Sequence, residues 1–192
     1  MKKILLSFLV LIAFAFTHSN QNYDPSKYKI ENVKLSTQEQ ELYNLIMQYR
    51  KKLKLPSIPI SPSLTYVAQV HVWDLETNKP ETSTCNMHSW SKKGTWSAVC
   101  YTDDHKNAAG MWNKPSELTN YNGNGFEISY SQSNGATPQS ALEGWKSSSG
   151  HNGVIINKGI WSEKWNAIGI GMYGGYAVVW FGNEKDVLIL SK

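Results

Sequence analysis

Two short β-rich runs near the C-terminus, residues 167–172 and 176–181, constrain the fold of this chain most strongly. Gly174 and Gly175 join them, and a glycine pair between two such runs favours a tight hairpin turn. The sequence therefore predicts an antiparallel hairpin of buried strands. Helical patterns precede the hairpin without regular interleaving of strands, so an α+β fold with a mainly antiparallel sheet covered by helices fits better than a parallel doubly wound sheet.

Two helical patterns lie in the first half of the chain. Ser36 and Glu39 have the spacing of a capping box, and apolar residues recur behind them at helical spacing, which predicts a first amphipathic helix. Ser63 is expected to cap a second helix that runs to about residue 77. His71 shares the apolar face of that helix, where a single histidine is more often a packed, hydrogen-bonded core residue than a ligand, so it is not a candidate site residue.

The second half contains one more helical pattern and a short alternating run. Pro138 precedes a helix expected over residues 139–147, which Ser149 and Gly150 are expected to end. Residues 126–130 alternate between apolar and polar side chains, as in a short strand or the edge of a turn.

A long segment, residues 79–124, has no sustained period and is rich in glycine, serine, asparagine and tryptophan. Segments of this length inside a compact domain are usually functional loops. Trp90, Trp96 and Trp112 are expected to anchor it, although a ligand platform that stacks on sugar rings or holds a lipid is an alternative.

The composition indicates one folded domain with a short N-terminal extension. Of the 192 residues, 18% are charged and 12% are aromatic, which excludes a disordered chain or a coiled coil. We expect a signal peptide at residues 1–19, a leader at 20–34, a domain at 35–184 and a C-terminal tail at 185–192.

The N-terminus resembles a secretory signal. Lys2 and Lys3 precede an apolar run at residues 4–16, which is too short to span a bilayer but has the length of a signal-peptide core. Without these two lysines the net charge falls from +4 to 17 − 15 = +2. The sequence therefore predicts a secreted or periplasmic protein without a stable membrane span and gives little support to nucleic-acid binding.

Export places Cys85 and Cys100 in an oxidising compartment. A bond between them would close a loop of about 15 residues and stabilise the fold by ~3 kcal/mol on the chain-entropy model. We expect this disulfide, with two free buried thiols as the alternative.

Three polar residues lie in unusual local contexts: His88 in Cys-Asn-Met-His-Ser, Glu127 in Gly-Phe-Glu-Ile-Ser, and His151 just beyond the expected end of the third helix. Glu127 has apolar neighbours on both sides, where a buried carboxylate without a partner would be costly. These residues are the candidate functional set.

With these residues in this order, the sequence resembles the CAP or SCP domain family, which includes cysteine-rich secretory proteins, venom antigen five and plant pathogenesis-related proteins. Its pattern resembles that of bacterial-type members. The resemblance extends over about residues 36–183. The matching segments, in chain order, are residues 44–55 ending in Leu-Pro, Ser61-Pro62-Ser63-Leu64, Ala68-Gln69-Val70-His71, His88-Ser89, Gly125-Phe126-Glu127, the Trp145 to His151 element, and the closing runs 167–171 and 179–182.

The resemblance implies an α/β/α sandwich in which two histidines and one or two glutamates line a central cavity. Carried over to this chain, these are His88, His151 and Glu127. The second glutamate of many members has no counterpart after Trp145, and Glu143 does not align with it. The expected site is therefore a triad.

Two imidazoles and one carboxylate are a suitable ligand set for Zn²⁺ or another divalent metal. The same groups can act as general base and acid without metal, or form only a structural hydrogen-bonded cluster. Three functions are therefore possible. The first is a secreted protein that binds a metal and a small or lipidic ligand and interacts with a host or the environment. The others are a peptidase-like hydrolase and an interaction protein whose loop region binds a protein partner.

Overall fold

The computed structural model describes residues 23–188. In this part of the chain the helices and strands follow the order predicted for an α+β fold. They are α1 (Thr37–Lys52), α2 (Pro62–Asn78), α3 (Ala108–Trp112), α4 (Lys114–Leu118), β1 (Phe126–Ser131), α5 (Pro138–Ser147), α6 (Ser149–Ile155), β2 (Ala167–Tyr173) and β3 (Tyr176–Gly182).

The three strands form one antiparallel sheet in the order β1-β3-β2. The predicted hairpin is confirmed, with Tyr173 paired to Tyr176 across the two glycines. The alternating run 126–130 is a strand, which pairs with the other side of β3 and places Glu127 opposite Trp180. Glu127 therefore projects from the sheet on the same face as Trp180, because directly paired residues share a face.

Helices cover both faces of this sheet. Along β3, Val178 and Trp180 pack into one buried cluster with α2, whereas Ala177, Val179 and Phe181 pack into a second cluster with α1, α5 and α6. This alternation follows from the two-residue period of a strand. The protein is thus an α/β/α sandwich, as expected.

The helix α2 lies unusually close to the sheet because two glycines of β2 face it. A Cβ atom on Gly169 would come within 2.1 Å of the Leu64 carbonyl carbon, and one on Gly171 within 2.3 Å of the Ala68 oxygen. Any side chain at these two positions would push α2 away from the sheet. The close approach fixes the height of every α2 side chain above the strands.

The beginning of α2 differs from the sequence prediction. Ser61, rather than Ser63, is the N-cap residue, since its hydroxyl accepts a hydrogen bond from the Leu64 amide and Pro62 occupies the first turn. Ser63 instead donates its hydroxyl and its amide to the carboxylate of Asp186, which also accepts from the Ser61 hydroxyl. Asp186, in the expected C-terminal tail, is 3% exposed and holds the chain end against this helix.

The helix predicted over residues 139–147 is present, but the stop expected at Ser149 and Gly150 is wrong, because a second helix begins there. The helix α5 ends at Ser147, and Ser148 adopts an extended backbone and caps α6. Its hydroxyl accepts from the amide of His151, so Ser149, Gly150 and His151 form the first turn of a new helix. The Ser-Ser-Gly sequence starts a helix here because a serine in extended conformation can satisfy a free amide at a helix N-terminus.

The long segment 79–124 contains the short helices α3 and α4 and is otherwise irregular. The expected bond between Cys85 and Cys100 is present, so the alternative of two free thiols does not hold. Trp90 and Trp96 are 2% and 6% exposed and pack into the α2 core, which makes them anchors of this segment.

The structure describes the N-terminal segment from residue 23 onward. The expected signal peptide lies outside the described residues. Residues 23–34, expected as a leader, form two single 3₁₀ turns, and Tyr66 of α2 donates its hydroxyl to the Ser26 carbonyl at 3.2 Å. Within residues 23–188 no helix combines the length and apolar character needed to cross a bilayer.

We predict that Asp186→Ala lowers the free energy of unfolding by about 2 kcal/mol, because it removes the acceptor of three buried hydrogen bonds at the beginning of α2. Urea unfolding followed by circular dichroism measures the change. The neighbouring exposed carboxylate offers a control, and Glu184→Gln should alter stability by less than about 0.5 kcal/mol. Equal stability of the Asp186 variant and the native protein would contradict this assignment.

Candidate functional site

The carboxylate of Glu127 lies between two histidines. Its Oε1 atom is 2.6 Å from Nδ1 of His71 on α2, and its Oε2 atom is 3.0 Å from Nδ1 of His88 in the long segment. The side chains of Glu127 and His71 are fully buried, and that of His88 is 18% exposed. A strand, a helix and a loop therefore meet at one carboxylate.

The bonding pattern of His71 requires a proton on each ring nitrogen when Glu127 is ionised. Its Nε2 atom donates to the Ser89 carbonyl at 3.0 Å, since a carbonyl oxygen only accepts. Burial by itself would lower the pKa of His71, but the charge and hydrogen bond of Glu127 raise it above the usual value. Burial acts to raise the pKa of Glu127, and the two histidines hold it below its usual value. The buried group is an ion pair.

Trp90 forms the wall behind this ion pair. Its indole stacks on the His71 ring with centroids 4.2 Å apart and planes 6° from parallel. The ammonium of Lys114 lies 5.2 Å from the centre of a Trp90 ring, and it also donates to the Ser97 carbonyl and the Glu117 carboxylate. One indole thus contacts two cationic groups, an arrangement that aromatic faces favour.

The ring of His88 is oriented by the same carboxylate. Because Nδ1 donates to Glu127, the proton of a neutral His88 ring is on Nδ1, and Nε2 keeps its lone pair. The His88 amide donates to the Asn86 side chain at 3.1 Å, and the Tyr101 ring lies 5.1 Å from the imidazole. His88 therefore presents a free nitrogen at the border between the core and solvent.

The loop that carries His88 is attached to α2 by a second buried carboxylate. Asp74, one helical turn after His71, accepts from the amide and the hydroxyl of Ser91 at 2.8 and 2.6 Å. The hydroxyl of Ser89 accepts from the Tyr101 amide at 2.9 Å, which ties both ends of the loop together. The geometry around His88 thus depends on α2 at two points.

His151 is the third residue of the expected triad, and it lies in the first turn of α6, half-buried. Burial lowers its pKa below the usual histidine value, and nearby His88 contributes in the same direction. His151 is therefore a neutral imidazole near neutral pH, the form that binds metals. The Glu127 oxygens accept from His71 and His88, so of the two predicted histidines it is His88 that donates a hydrogen bond to Glu127.

In the described part of the chain, no group of three or more His, Cys, Asp or Glu side chains has the arrangement of a metal site. The structure brings Glu127 and His88 into direct contact, and His88 contributes to the lowered pKa of His151.

His71 is the member of the cluster that sequence reasoning set aside. It is packed and hydrogen-bonded, as expected of a core histidine, but its main partner is the candidate residue Glu127. The position of Asp74 one turn later on the same helix is a signal that could have found His71, since two buried polar residues on an apolar face indicate partners in another element.

The fold and the cluster define a class of protein: a disulfide-containing α/β/α sandwich with a His-Glu-His group between a central helix and the sheet. The family model for CAP, the cysteine-rich secretory protein family, matches residues 43–181, and the chain belongs to that family.

Two solved structures share the fold. One is an extracellular protein containing an SCP domain from Bacillus anthracis, with a TM-score of 0.55 and 17% identity over 79% of this chain, which spans 45% of that protein's chain. The other is an outer surface protein from Borrelia burgdorferi, with a TM-score of 0.54 and 22% identity over 80% of this chain and 97% of the other. No curated protein sequence matches the chain significantly.

We predict that His71 keeps protons on both ring nitrogens to a higher pH than an ordinary histidine does. The raised pKa follows from the ion pair with Glu127. The ¹⁵N chemical shifts of the ring, measured by long-range NMR correlation, distinguish the imidazolium from either neutral tautomer. Loss of the second ring proton at or below the ordinary histidine pKa would contradict the ion pair.

The stability that the ion pair contributes should depend on pH in both directions. The part due to His71, whose pKa is raised, is fully present below its ordinary value of 6.5 and is lost as pH rises through the folded-state pKa. The part due to Glu127, whose pKa is lowered, is fully present above its ordinary value of 4.5 and is lost as pH falls through the folded-state pKa.

We therefore predict that Glu127→Gln destabilises the protein most at about pH 5.5, by roughly 3–5 kcal/mol, because it leaves a buried partner without its counter-charge. Urea unfolding from about pH 3 to 9 measures this difference. The exposed Glu143 pairs with Lys146, and Glu143→Gln should cost less than about 1 kcal/mol at every pH. A loss that stays constant with pH would contradict the ion pair.

Proposed function

We propose that this CAP-family protein is an exported binding protein whose site takes up a divalent metal ion such as Zn²⁺ through the imidazoles of His88 and His151. The metal would then offer its remaining positions to a small or lipidic ligand. The observation that carries the proposal is the hydrogen bond from Nδ1 of His88 to Glu127, which leaves Nε2 available.

A histidine that binds a metal through one nitrogen usually donates its other N–H to a carboxylate, which fixes the ring and strengthens the ligand. His88 has this arrangement before any metal is bound. Such orientation requires a carboxylate that does not itself move, and Glu127 is buried and held on its other side by His71. The donor set therefore fits a metal at His88.

In this site Glu127 orients the His88 ring and is not itself a metal ligand. Both of its oxygens accept from histidines, and coordination of a metal would require one of these buried hydrogen bonds to break. His151 supplies the second nitrogen, and its lowered pKa keeps it neutral without competition from protons. Zinc sites with few protein ligands complete their coordination with water or a ligand atom.

Several observations support a location outside the cytoplasm. The chain contains a disulfide, which persists in oxidising compartments, and an apolar run near the N-terminus with the length of a signal-peptide core. The two structures of similar fold belong to an extracellular and an outer surface protein. We propose a secreted or periplasmic protein that interacts with its host or environment.

A hydrolase is the second candidate. Hydrogen bonds link His71, Glu127 and His88 in series, and a carboxylate that orients a histidine in this way can prepare it as a general base. The free Nε2 of His88 would take a proton from water. Incubation of the protein and its His88→Ala variant with a broad peptide library tests this activity. Identical product profiles would remove the hydrolase and leave binding or a purely structural cluster.

We predict that the protein binds Zn²⁺ in isothermal titration calorimetry and that His88→Ala and His151→Ala each abolish binding. Glu127→Gln should weaken it by about 10–100-fold, since the ring of His88 loses its orienting acceptor. The exposed His105 provides the control, and His105→Ala should bind as the native protein does.

Two results would contradict the metal proposal. The first is a titration of the native protein with Zn²⁺ that gives no heat of binding. The second is unchanged affinity of His88→Ala for Zn²⁺. Either result would leave two candidates: the hydrolase, and the interaction protein in which the His-Glu-His group is only a structural cluster.

A further inference from the structure

One end of the molecule combines exposed lysines with exposed aliphatic side chains. The last turn of helix α1 lies there beside the loop that follows α6. We call this surface the lysine patch. It consists of Lys51, Lys52, Leu53, Lys54, Lys158, Ile160 and Lys164, all of them exposed.

A buried arginine joins the two segments of the patch. Arg50, 1% exposed, donates from its guanidinium to the Ile155 carbonyl at 2.5 Å and to the Asn157 side chain at 2.8 Å. Asn157 in turn donates to the carbonyls of Trp161 and Glu163. The last turn of α1 and the loop at residues 157–164 are therefore fixed side by side.

The patch concentrates the positive charge of the domain. Residues 23–188 carry 16 basic and 15 acidic side chains, since Lys2, Lys3 and Lys192 lie outside them, so their net charge is +1. The patch has five lysines, and Glu163 is the one acidic residue within its two segments, which gives +4. The remaining described residues sum to −3. In the described part of the chain, none of the five lysines forms an ion pair.

The lysine patch also contains two aliphatic side chains that are unusually exposed to solvent. Ile160 is 87% exposed, more than any other large apolar residue in the described chain, and Leu53 is 44% exposed. Ile160 is the middle residue of the 3₁₀ turn Gly159–Trp161, whose first residue, Gly159, has a positive φ of 67°. Burial of such side chains would be favourable in any apolar environment.

We propose that the lysine patch docks the protein onto a bilayer that contains anionic phospholipids. Lysines near such a surface each gain about 1 kcal/mol from its negative potential, and aliphatic side chains between them can enter the boundary of the acyl chains. A soluble polyanion would satisfy the lysines but would leave Leu53 and Ile160 in water. The combination therefore favours a lipid surface.

Docking through this patch would bring the candidate site close to the membrane. His151 lies in the first turn of α6, and the patch begins directly after the last turn of the same seven-residue helix. A helix of that length is about 10 Å long. The inference is independent of metal binding, because the patch contains neither His88 nor His151.

Co-sedimentation with vesicles tests the proposal. The exported form of the protein, checked by mass spectrometry to lack the apolar run at residues 4–16, is mixed with vesicles of phosphatidylcholine alone or of equal parts phosphatidylcholine and phosphatidylglycerol. We expect binding to the anionic vesicles alone, weakening as salt is added.

Two combined variants separate the charged and apolar contributions. Replacement of Lys51, Lys52 and Lys54 by glutamine should weaken binding about 100-fold, given the gain for each lysine. Replacement of Leu53 and Ile160 by serine should weaken it about tenfold or more, because two aliphatic side chains no longer enter the bilayer. Thermal melting checks that these surface changes leave the fold intact.

Matched controls come from the rest of the surface. Lys92 and Lys93 are exposed on the loop segment beside α2, and Val187 is a 72% exposed aliphatic residue outside the patch. Lys92→Gln with Lys93→Gln, and Val187→Ser, should bind as the native protein does. Three results would overturn the proposal: no binding of the native protein to anionic vesicles, equal loss in the Lys92 and Lys93 control, or full binding by the serine variant, which would indicate a polyanion site.

Discussion

The buried carboxylate of Glu127 is the group on which the rest of the site depends. A charge with no exposed side-chain surface is tolerated only when its hydrogen bonds and counter-charge are supplied by neighbours. His71 supplies the charge and His88 the second hydrogen bond. Strand β1, helix α2 and the long loop are thereby brought to one point, and His88 acquires both its position and its tautomer.

The close packing of α2 on the sheet makes this contact possible. Gly169 and Gly171 allow the helix backbone to lie against β2, which sets His71 at the height of Glu127. From the same helix Asp74 holds Ser91 in the loop. No side chain of Gly169 or Gly171 separates α2 from β2, and the loop that carries His88 is hydrogen-bonded to this helix at two points.

The two proposed activities occupy different layers of the sandwich. The His-Glu-His group lies between α2 and the sheet, whereas the lysine patch is formed where α1 and the loop after α6 meet around Arg50. Helix α6 connects them, since His151 lies in its first turn and the patch follows its last. A protein held at a lipid surface by one end would present the proposed metal site to small or lipidic ligands nearby.

The sequence by itself determined the elements whose signals are local: the capping box at Ser36, the glycine-joined hairpin and the family pattern that carries the fold. Tertiary structure decided the rest, because it depends on residues far apart in the chain. A histidine on an apolar helical face has the same local sequence whether or not a carboxylate 56 residues later reaches it. Ser149 and Gly150 lie in the first turn of a new helix, where the sequence suggested an end, because the Ser148 hydroxyl accepts a hydrogen bond from the His151 amide and caps α6.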